Sequence, residues 1–247
     1  MKKRIAFITD VHLDEEYPIK QGVNARENWK LIMKDVASRG INDVVFGGDM
    51  GENSASEWFF ETLKGFDLKL ILGNHDTFSE ASKYYKNEFQ GEHKELYYAF
   101  EDDYFKHIFL DSSSGEISKT QFLWFKGELN TEKKIIVFIH HPIIPVATLV
   151  DKKYYLLERA KIKNELLDKG NEAYVFCGHY HMIDEIVDKN VKQIISPAAS
   201  YQIIKIPDEV QVTTKNFGYR IIEVDKDQLK TYPVLYKNGG FVTSSAG

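Results

Sequence analysis

Short runs of apolar residues alternate with amphipathic stretches through the first three quarters of the chain. The runs at residues 5–8, 44–46, 68–72, 135–139 and 174–176 have the length and hydrophobicity of buried β-strands. The stretches between them repeat apolar residues at helical spacing. Strands that alternate with helices predict an α/β fold built on a largely parallel sheet.

Three of the predicted helices begin with a polar residue followed three positions later by Glu or Gln, which is typical of a capped helix start. The pairs are Asn24 and Glu27, Ser54 and Glu57, and Ser118 and Gln121. The first pair precedes an apolar helix face that includes Trp29, Ile32 and Val36. A fourth helix is predicted at residues 155–167.

Residues 97–100 and 104–110, near the middle of the chain, predict a hairpin with its turn at residues 101–103. The last part of the chain is richer in strands. Further strands are predicted at 194–195, 219–224 and 229–236, the last two joined by a tight turn. This section predicts a second sheet or an antiparallel addition to the first.

A chain of 247 residues is within the range of one α/β domain or two small ones. No linker, repeat or low-complexity stretch interrupts it. We therefore assign residues 1–237 to a single domain and expect residues 238–247 to form a flexible tail.

The bulk properties narrow the choice of partner and compartment. A formal charge of −5 argues against a nucleic-acid polymer, because non-specific binding to such a polymer relies on Lys and Arg. The single cysteine, Cys177, excludes an internal disulfide and fits a reducing compartment. No apolar stretch approaches the roughly 20 residues of a membrane span, or the core of a signal peptide. The sequence therefore predicts a soluble cytoplasmic protein without membrane contact.

Six of the eight histidines lie in five short motifs, and each motif ends an apolar run. The motifs hold Asp10 and His12, then Asp49, then Asn74, His75 and Asp76, then His140 and His141, and finally His179 and His181. In open α/β sheets, ligands gather beyond the carboxyl ends of the strands. Five motifs at five strand ends are therefore expected to converge in space.

Carboxylate, amide and imidazole groups are metal ligands, and this mixture suits Mn, Fe or Zn better than Ca or Mg. Asp10 and His12 lie two residues apart, so on an extended backbone they project to the same side and can reach one ion. Each motif taken singly is more often a turn or a surface loop than a metal site. The ordered set of five argues against coincidence, whereas His93 and His107 lie outside it and are expected to have structural roles.

The series from Asp10 to His181 resembles the motif pattern of the calcineurin-like metallophosphoesterase superfamily, which is Asp-x-His, Gly-Asp, Gly-Asn-His-Asp, a histidine after a strand, and Gly-His-x-His. Every position of the pattern is filled. The His-His-Pro motif at 140–142 and the segments 110–113 and 121–124 are also similar to bacterial class III cyclic-nucleotide phosphodiesterases and their glycerophosphodiesterase relatives. The resemblance implies a four-layer α/β/β/α sandwich with two mixed β-sheets, the late strands forming the second sheet.

The resemblance also implies roles for individual residues. Asp10, His12 and His181 would hold one metal ion, while Asn74, His140 and His179 would hold a second. Asp49 would bridge the two ions. His75 would act as the catalytic acid, oriented by Asp76. Asn74, His75 and His141 would bind the substrate, with His141 either facing it or supporting a ligand.

The activity implied is a binuclear-metal phosphodiesterase in which a metal-bridging hydroxide attacks a small phosphodiester, such as a cyclic nucleotide or a glycerophosphodiester. A phosphomonoesterase acting on a nucleotide or sugar phosphate is the alternative, and a non-catalytic scaffold of the same fold is a third hypothesis.

The acidic residues Glu15 and Glu16 disfavour a long polyanion as substrate. Tyr17, Tyr154, Tyr155 and Tyr180 are candidates for stacking on a nucleobase, although local packing is the favoured role for any one of them. The sequence leaves the oligomeric state open.

Overall fold

The computed structural model describes residues 3–86 and 94–243. In chain order the strands are β1 (Lys3–Ile8), β2 (Asp43–Phe46), β3 (Asp67–Leu70), β4 (Tyr98–Glu101), β5 (Phe105–Leu110), β6 (Lys134–Ile139), β7 (Ala173–Cys177), β8 (Asp184–Asp188), β9 (Val191–Ile195), β10 (Gln202–Ile204), β11 (Gln211–Thr213), β12 (Phe217–Asp225), β13 (Gln228–Lys237) and β14 (Gly240–Thr243). The α-helices are α1 (Glu16–Lys20), α2 (Ala25–Ser38), α3 (Ser56–Thr62), α4 (Phe78–Tyr84), α5 (Lys119–Glu128), α6 (Leu149–Tyr154) and α7 (Arg159–Lys169).

Two six-stranded mixed sheets form the centre of the molecule. The first has the order β14-β13-β12-β1-β2-β3, with β1, β2 and β3 parallel and the other pairs antiparallel. The second has the order β4-β5-β6-β7-β9-β8, with β4 and β8 as antiparallel edges of a parallel centre. Strands β10 and β11 form a separate two-stranded hairpin.

Aromatic side chains pack the two sheets against each other. The ring of Phe7 on β1 lies 5.6 Å from that of Phe138 on β6 and 6.0 Å from that of Phe176 on β7, between centroids. Trp29 of α2 belongs to the core of the first sheet, and Leu166 of α7 belongs to that of the second. Helices therefore cover both outer faces, and the predicted α/β/β/α sandwich is confirmed.

The strand pattern left open whether the late strands form a second sheet or an antiparallel addition to the first, and the structure shows the antiparallel addition. The resemblance, which implied that they form the second sheet, was wrong on this point. The late strands β12 and β13 extend the first sheet, because β12 pairs antiparallel with the edge of β1 that β2 leaves open. The second sheet consists instead of β4 to β9. The predicted hairpin of β4 and β5 is confirmed.

Two of the three predicted helix caps are present. The side chain of Asn24 accepts a hydrogen bond from the backbone of Glu27 at 3.1 Å, and Ser118 accepts one from Gln121 at 3.1 Å. Ser54 instead lies within a 3₁₀ turn (Asn53–Ala55) that leads into α3. The predicted helix at 155–167 is also wrong in its start, since α7 begins only at Arg159, after Glu158 in a left-handed conformation with φ 55°.

Part of the segment that was expected to form a flexible tail is a β-strand. Residues 240–243 form β14, which pairs with β13, and the ring of Phe241 packs 5.1 Å from that of Tyr236. Residues 244–247 and His93 lie outside the described residues. His107 is buried in β5 with Nε2 2.9 Å from an Asp102 carboxylate oxygen, a contact that joins the ends of one hairpin.

None of the helices in the described part of the chain is both long enough and apolar enough to cross a membrane.

The sandwich brings the carboxyl ends of β1, β2 and β3 beside those of β6 and β7. The amide of Asp10 donates to the carbonyl of Gly48 at 2.9 Å, and that of Gly178 donates to the carbonyl of His140 at 3.0 Å. The motif-bearing loops are thereby tied together in pairs.

Replacing Phe138 with alanine would remove a fully buried ring from between the sheets. We expect the free energy of unfolding to fall by about 3–5 kcal/mol, because neighbouring rings cannot fill the cavity completely. Urea denaturation measures this difference. Leu123→Ala, on the exposed face of α5, is the control and should change stability by less than about 0.5 kcal/mol. Equal effects of the two substitutions would contradict the packing described here.

Candidate metal centre

Five of the predicted ligands have a strained backbone conformation. Positive φ angles occur at Asp10 (57°), His12 (52°), Asp49 (59°), His179 (67°) and His181 (46°). Non-glycine residues seldom adopt this left-handed conformation, and it persists only where the surrounding structure enforces it. Each strand therefore ends in a sharp reversal that turns its polar side chain toward the junction of the sheets.

The loops after β1 and β7 interlock. Both carboxylate oxygens of Asp10 lie 3.1 Å from the backbone nitrogen of His179, which donates to them. A β-carbon at Gly178 would overlap the side chains of Thr9 and Asp10, so only glycine allows this approach. The hydroxyl of Ser200 donates to the carbonyl of Asp10 at 2.7 Å and closes the junction from a third segment.

A first group of possible ligands consists of Asp10, His12 and His181, all buried. Nε2 of His181 lies 3.3 Å from a carboxylate oxygen of Asp10, and Nε2 of His12 lies 3.0 Å from Nε2 of His181. The three ligand atoms lie within 4.8 Å of one another. They are the three residues that the sequence assigned to one ion.

The tautomers of these two imidazoles follow from their outer contacts. Nδ1 of His181 lies 3.0 Å from the carbonyl oxygen of Tyr201, and Nδ1 of His12 lies 3.0 Å from a Glu15 carboxylate oxygen. Both acceptors require an N–H at Nδ1, so in the neutral rings the two Nε2 lone pairs face each other. A cation between them would turn this repulsion into coordination, as in metal sites whose histidines donate their outer N–H to an oxygen.

A second group consists of Asp49, His140 and His179. His140 Nδ1 donates to the carbonyl of Gly47 at 2.8 Å, and His179 Nε2 donates to the carbonyl of Tyr154 at 2.7 Å. In the neutral form of each ring the inner nitrogen therefore carries a lone pair. Nε2 of His140 is buried and makes no hydrogen bond within the described residues, which suits a metal ligand.

Asp49 lies between the two groups. Its Oδ2 is 3.2 Å from Nε2 of His140 and 3.6 Å from Nε2 of His12, while its Oδ1 accepts the backbone N–H of His75 at 2.9 Å. Asn74 is exposed and lines the same cavity as Asp49. One carboxylate oxygen thus faces both ligand groups, as a bridging ligand must.

The electrostatics of the metal-free centre favour cations. Burial raises the pKa of Asp10, but the positive charge and hydrogen bond of His181 outweigh it and lower that pKa to about 2. The pKa of Asp49 is also well below its usual value, because His140 outweighs burial. Burial lowers the pKa of His140, yet Asp49 and Asp10 raise it to about 10, whereas burial lowers that of His179 to about 4. A proton on His140 compensates the carboxylates where a metal ion would otherwise do so.

His75 lies at the mouth of the centre, with 43% of its side chain exposed. Its Nδ1 is 3.0 Å from a carboxylate oxygen of Glu15, and this hydrogen bond is the main cause that raises the pKa of His75 to about 9. The sequence indicated Glu15 only as a negative charge that disfavours a polyanionic substrate, not as a partner of the histidines. No spacing rule pointed to it, because its partners lie in two different motifs.

The carboxylate of Asp76, which was expected to orient or polarise His75, contacts the backbone of two neighbouring loops. It accepts three backbone N–H groups, from Asp49 at 2.7 Å, Met50 at 2.9 Å and Gly73 at 2.9 Å. These bonds fold the loops after β2 and β3 onto each other, so Asp76 shapes the backbone that carries Asp49. The His75 ring contacts Glu15 through Nδ1.

His141 is buried, with Nδ1 2.9 Å from the hydroxyl of Ser112 and its ring 4.1 Å from that of His179, between centroids. Burial lowers the pKa of His141 well below its usual value, so the ring is neutral. Of the two roles left open by the sequence, this placement favours support of His179 over contact with a substrate.

A cavity of about 410 Å³ opens above the two ligand groups. Val150 and Tyr154 of α6 line one side, and Ile203 and Val212 of the β10–β11 hairpin line another, with Tyr201 between hairpin and centre. The wall formed by the β10–β11 hairpin was not predicted, since nothing in the local sequence marks the hairpin as part of a site.

The four candidate stacking tyrosines separate into two groups. Tyr17 and Tyr154 line the cavity. Tyr180 is fully buried, and Tyr155 lies under the guanidinium of Arg159 at 5.1 Å, so both pack locally.

Comparison with known proteins defines the family. The family model described as calcineurin-like phosphoesterase matches residues 3–182, which hold both ligand groups. The chain belongs to the calcineurin-like phosphoesterase family. It is a metallophosphoesterase, and this family depends on divalent metal ions.

Several relatives of this metallophosphoesterase are named for phosphodiester hydrolysis. A probable cyclic nucleotide phosphodiesterase of Fibrobacter succinogenes is 25% identical over 210 residues, 81% of each chain. The 3′,5′-cyclic adenosine monophosphate phosphodiesterase CpdA of Haemophilus influenzae is 24% identical over 89% of this chain and 85% of its own. A probable glycerophosphodiester phosphodiesterase, GpdQ, of Arcobacter nitrofigilis is 28% identical over 65% of this chain and 64% of its own.

Solved structures share the fold of this metallophosphoesterase. A dimetal phosphatase from Danio rerio superposes with a TM-score of 0.64 at 14% identity, covering 93% of this chain and 98% of its own. GAP50, the anchor in the inner membrane complex of Plasmodium, superposes with a TM-score of 0.66 at 16% identity, covering 98% of this chain and 88% of its own. At these identities the likeness concerns the fold alone.

Metal loading of the metal-free protein is expected to release protons at pH 7. The pKa of His140 is about 10, so its ring is protonated at that pH and must lose its proton to bind a metal. The apparent affinity for Zn²⁺ should therefore rise with pH. Calorimetric titration in two buffers of different ionisation enthalpy counts the protons released. His140→Ala should release fewer, and a pH-independent affinity without proton release would contradict this ligand assignment.

Proposed function

We propose that this metallophosphoesterase is a binuclear-metal phosphodiesterase that hydrolyses a small phosphodiester, of the cyclic nucleotide or glycerophosphodiester kind. The first ion would bind Asp10, His12 and His181, and the second Asn74, His140 and His179, with Asp49 shared. The observation that supports this most strongly is the orientation of the imidazoles. Each ligand histidine donates one ring N–H outward to an oxygen, which leaves the other nitrogen as a lone-pair donor toward the centre.

Carboxylate and imidazole ligands suit Mn, Fe or Zn. Bound at this centre, such ions would supply Lewis acidity for the phosphoryl oxygens and lower the pKa of a water molecule toward about 7. A reducing compartment such as the cytoplasm fits the buried, unpaired Cys177 of β7.

The protein's own residues bind and orient the ester. Asn74 lines the cavity beside Asp49 and offers an amide to a phosphoryl oxygen. His75 reaches the cavity with Nδ1 held by Glu15, so Nε2 is the nitrogen that can give a proton to the leaving oxygen. The walls of α6 and the β10–β11 hairpin exclude water from the organic part of the substrate.

The charge of the cavity favours a diester over a monoester. Among the described residues that line it, none is a lysine or arginine, and Glu15 adds a negative charge. Lysine or arginine side chains would stabilise a bound dianionic phosphomonoester more than a monoanionic diester. A cavity lined without them therefore suits the diester better. Phosphomonoester hydrolysis remains the alternative for the same centre, and a scaffold role is the third, since one protein of this fold is described as an anchor.

Protein loaded with Mn²⁺ is expected to hydrolyse bis(p-nitrophenyl) phosphate faster than p-nitrophenyl phosphate. Asp49→Asn should reduce kcat by about 100-fold or more, because the shared carboxylate charge is lost. Asp103→Asn, in the exposed turn between β4 and β5, is the matched control and should retain activity. Faster turnover of the monoester would favour the monoesterase alternative. Absence of both turnover and metal uptake would support a scaffold.

His75→Ala should keep the metal content of the protein, because His75 belongs to neither ligand group. We expect kcat for a diester with an alkoxide leaving group to fall by about 100-fold or more, since the departing oxygen loses its proton donor. Bis(p-nitrophenyl) phosphate should be affected far less, because p-nitrophenolate leaves without protonation. Equal losses on both esters would remove His75 from the proton-donor role.

A further inference from the structure

The carboxylate of Glu15 joins two histidines that have different proposed roles. Oε2 lies 3.0 Å from Nδ1 of His12, and Oε1 lies 3.0 Å from Nδ1 of His75. An ionised carboxylate only accepts, so both imidazoles direct an N–H at it. A single side chain therefore fixes the tautomer of a proposed metal ligand and that of the proposed proton donor.

Glu15 does not serve the helix that it precedes. It occupies the N-cap position of α1, yet its side chain makes no capping hydrogen bond. Residues at this position usually turn their side-chain oxygen back to the first amide groups of the helix. Here the side chain is only 13% exposed and extends toward the metal centre instead. Its position is thus accounted for by the two histidines.

The surrounding backbone holds this arrangement in place. Leu13 donates from its amide to the carbonyl of Met50 at 2.8 Å, which fixes the loop that carries Glu15 to the end of β2. The rings of His12 and His75 meet edge to face, with centroids 4.7 Å apart and planes at 88°. On His12, Glu15 and Asp49 lie at opposite ring nitrogens, Nδ1 and Nε2.

We infer that Glu15 is a positioning residue that couples the proton donor to the metal centre, by holding His75 so that Nε2 faces the leaving oxygen while it keeps His12 in its ligand tautomer. The inference rests on the proposed function for its chemical meaning. The contact itself concerns the metal-free protein and can be tested without turnover.

The first test is NMR of metal-free protein labelled with ¹⁵N-histidine. The ring signals of His75 are identified as those that disappear in His75→Ala. We expect a slowly exchanging Nδ1–H signal for His75 in the parent protein, and the same signal in Glu16→Ala. Glu16 is the matched control because it is the exposed neighbour of Glu15, paired with Lys20. Glu15→Ala should lose the signal. Glu15→Gln keeps the side-chain volume but has one acceptor oxygen for two N–H groups, so at least one of the His12 and His75 signals should disappear. Signals unchanged in both variants would overturn the inference.

The second test separates positioning of His75 from support of His12. With metal-loaded protein, Glu15→Ala should reduce kcat for diphenyl phosphate about tenfold more than for bis(p-nitrophenyl) phosphate, because phenoxide needs a proton more than p-nitrophenolate does. In protein that already carries His75→Ala, the further substitution Glu15→Ala should not change the ratio of kcat for the two esters, because the proton donor is already absent.

The outcomes of the second test are distinct. Equal losses on both esters, together with lost metal, would mean that Glu15 acts only through His12, and would overturn the coupling to His75. Failure of the parent protein to hydrolyse either diester would defeat the proposed function, while the NMR result would still decide whether Glu15 holds His75.

Discussion

The hydrogen bonds from the amide of His179 to the carboxylate of Asp10 join the two sheets at the place where the chemistry is concentrated. Asp10 follows β1 of the first sheet, and His179 follows β7 of the second. Because Asp10 is also a proposed ligand, the packing of one sheet on the other and the geometry of the centre are set by the same side chain. Gly178 permits this approach, since any β-carbon there would collide with the loop after β1.

The ligand rings are oriented by the fold before any ion arrives. Backbone carbonyls of Gly47, Tyr154 and Tyr201 accept the outer N–H groups of three histidines. These carbonyls belong to the end of β2, to α6 and to the segment before β10. Elements far apart in the chain therefore each fix the orientation of one imidazole ring. His12 is the exception, because a side chain rather than the backbone holds it. Only this ligand can be released by a single substitution of its partner.

Sequence reasoning found the centre because its ligands follow buried strands directly, and that is a local property of the chain. Asp10, Asp49 and His140 could be named from their neighbours alone. The sheet that each strand joins is decided by which edges are left open. The strand pattern alone therefore left two places for the late strands, and the resemblance favoured the wrong one. Glu15 was missed for a related reason: its contacts depend on where two distant loops meet. The contacts of Asp76 with three backbone amides were missed for the same reason, because these amides belong to two different loops.

Five of the proposed ligands sit in the left-handed region of backbone conformation. Each such residue costs about 1 kcal/mol or more relative to an unstrained one, so the backbone of the centre is destabilising and depends on the stability that the two hydrophobic cores provide. Glycine at these positions would relax the backbone and delete the ligand in one step. At these positions the substitution that relieves backbone strain is also the one that removes a proposed ligand, so stability and the proposed activity are opposed there.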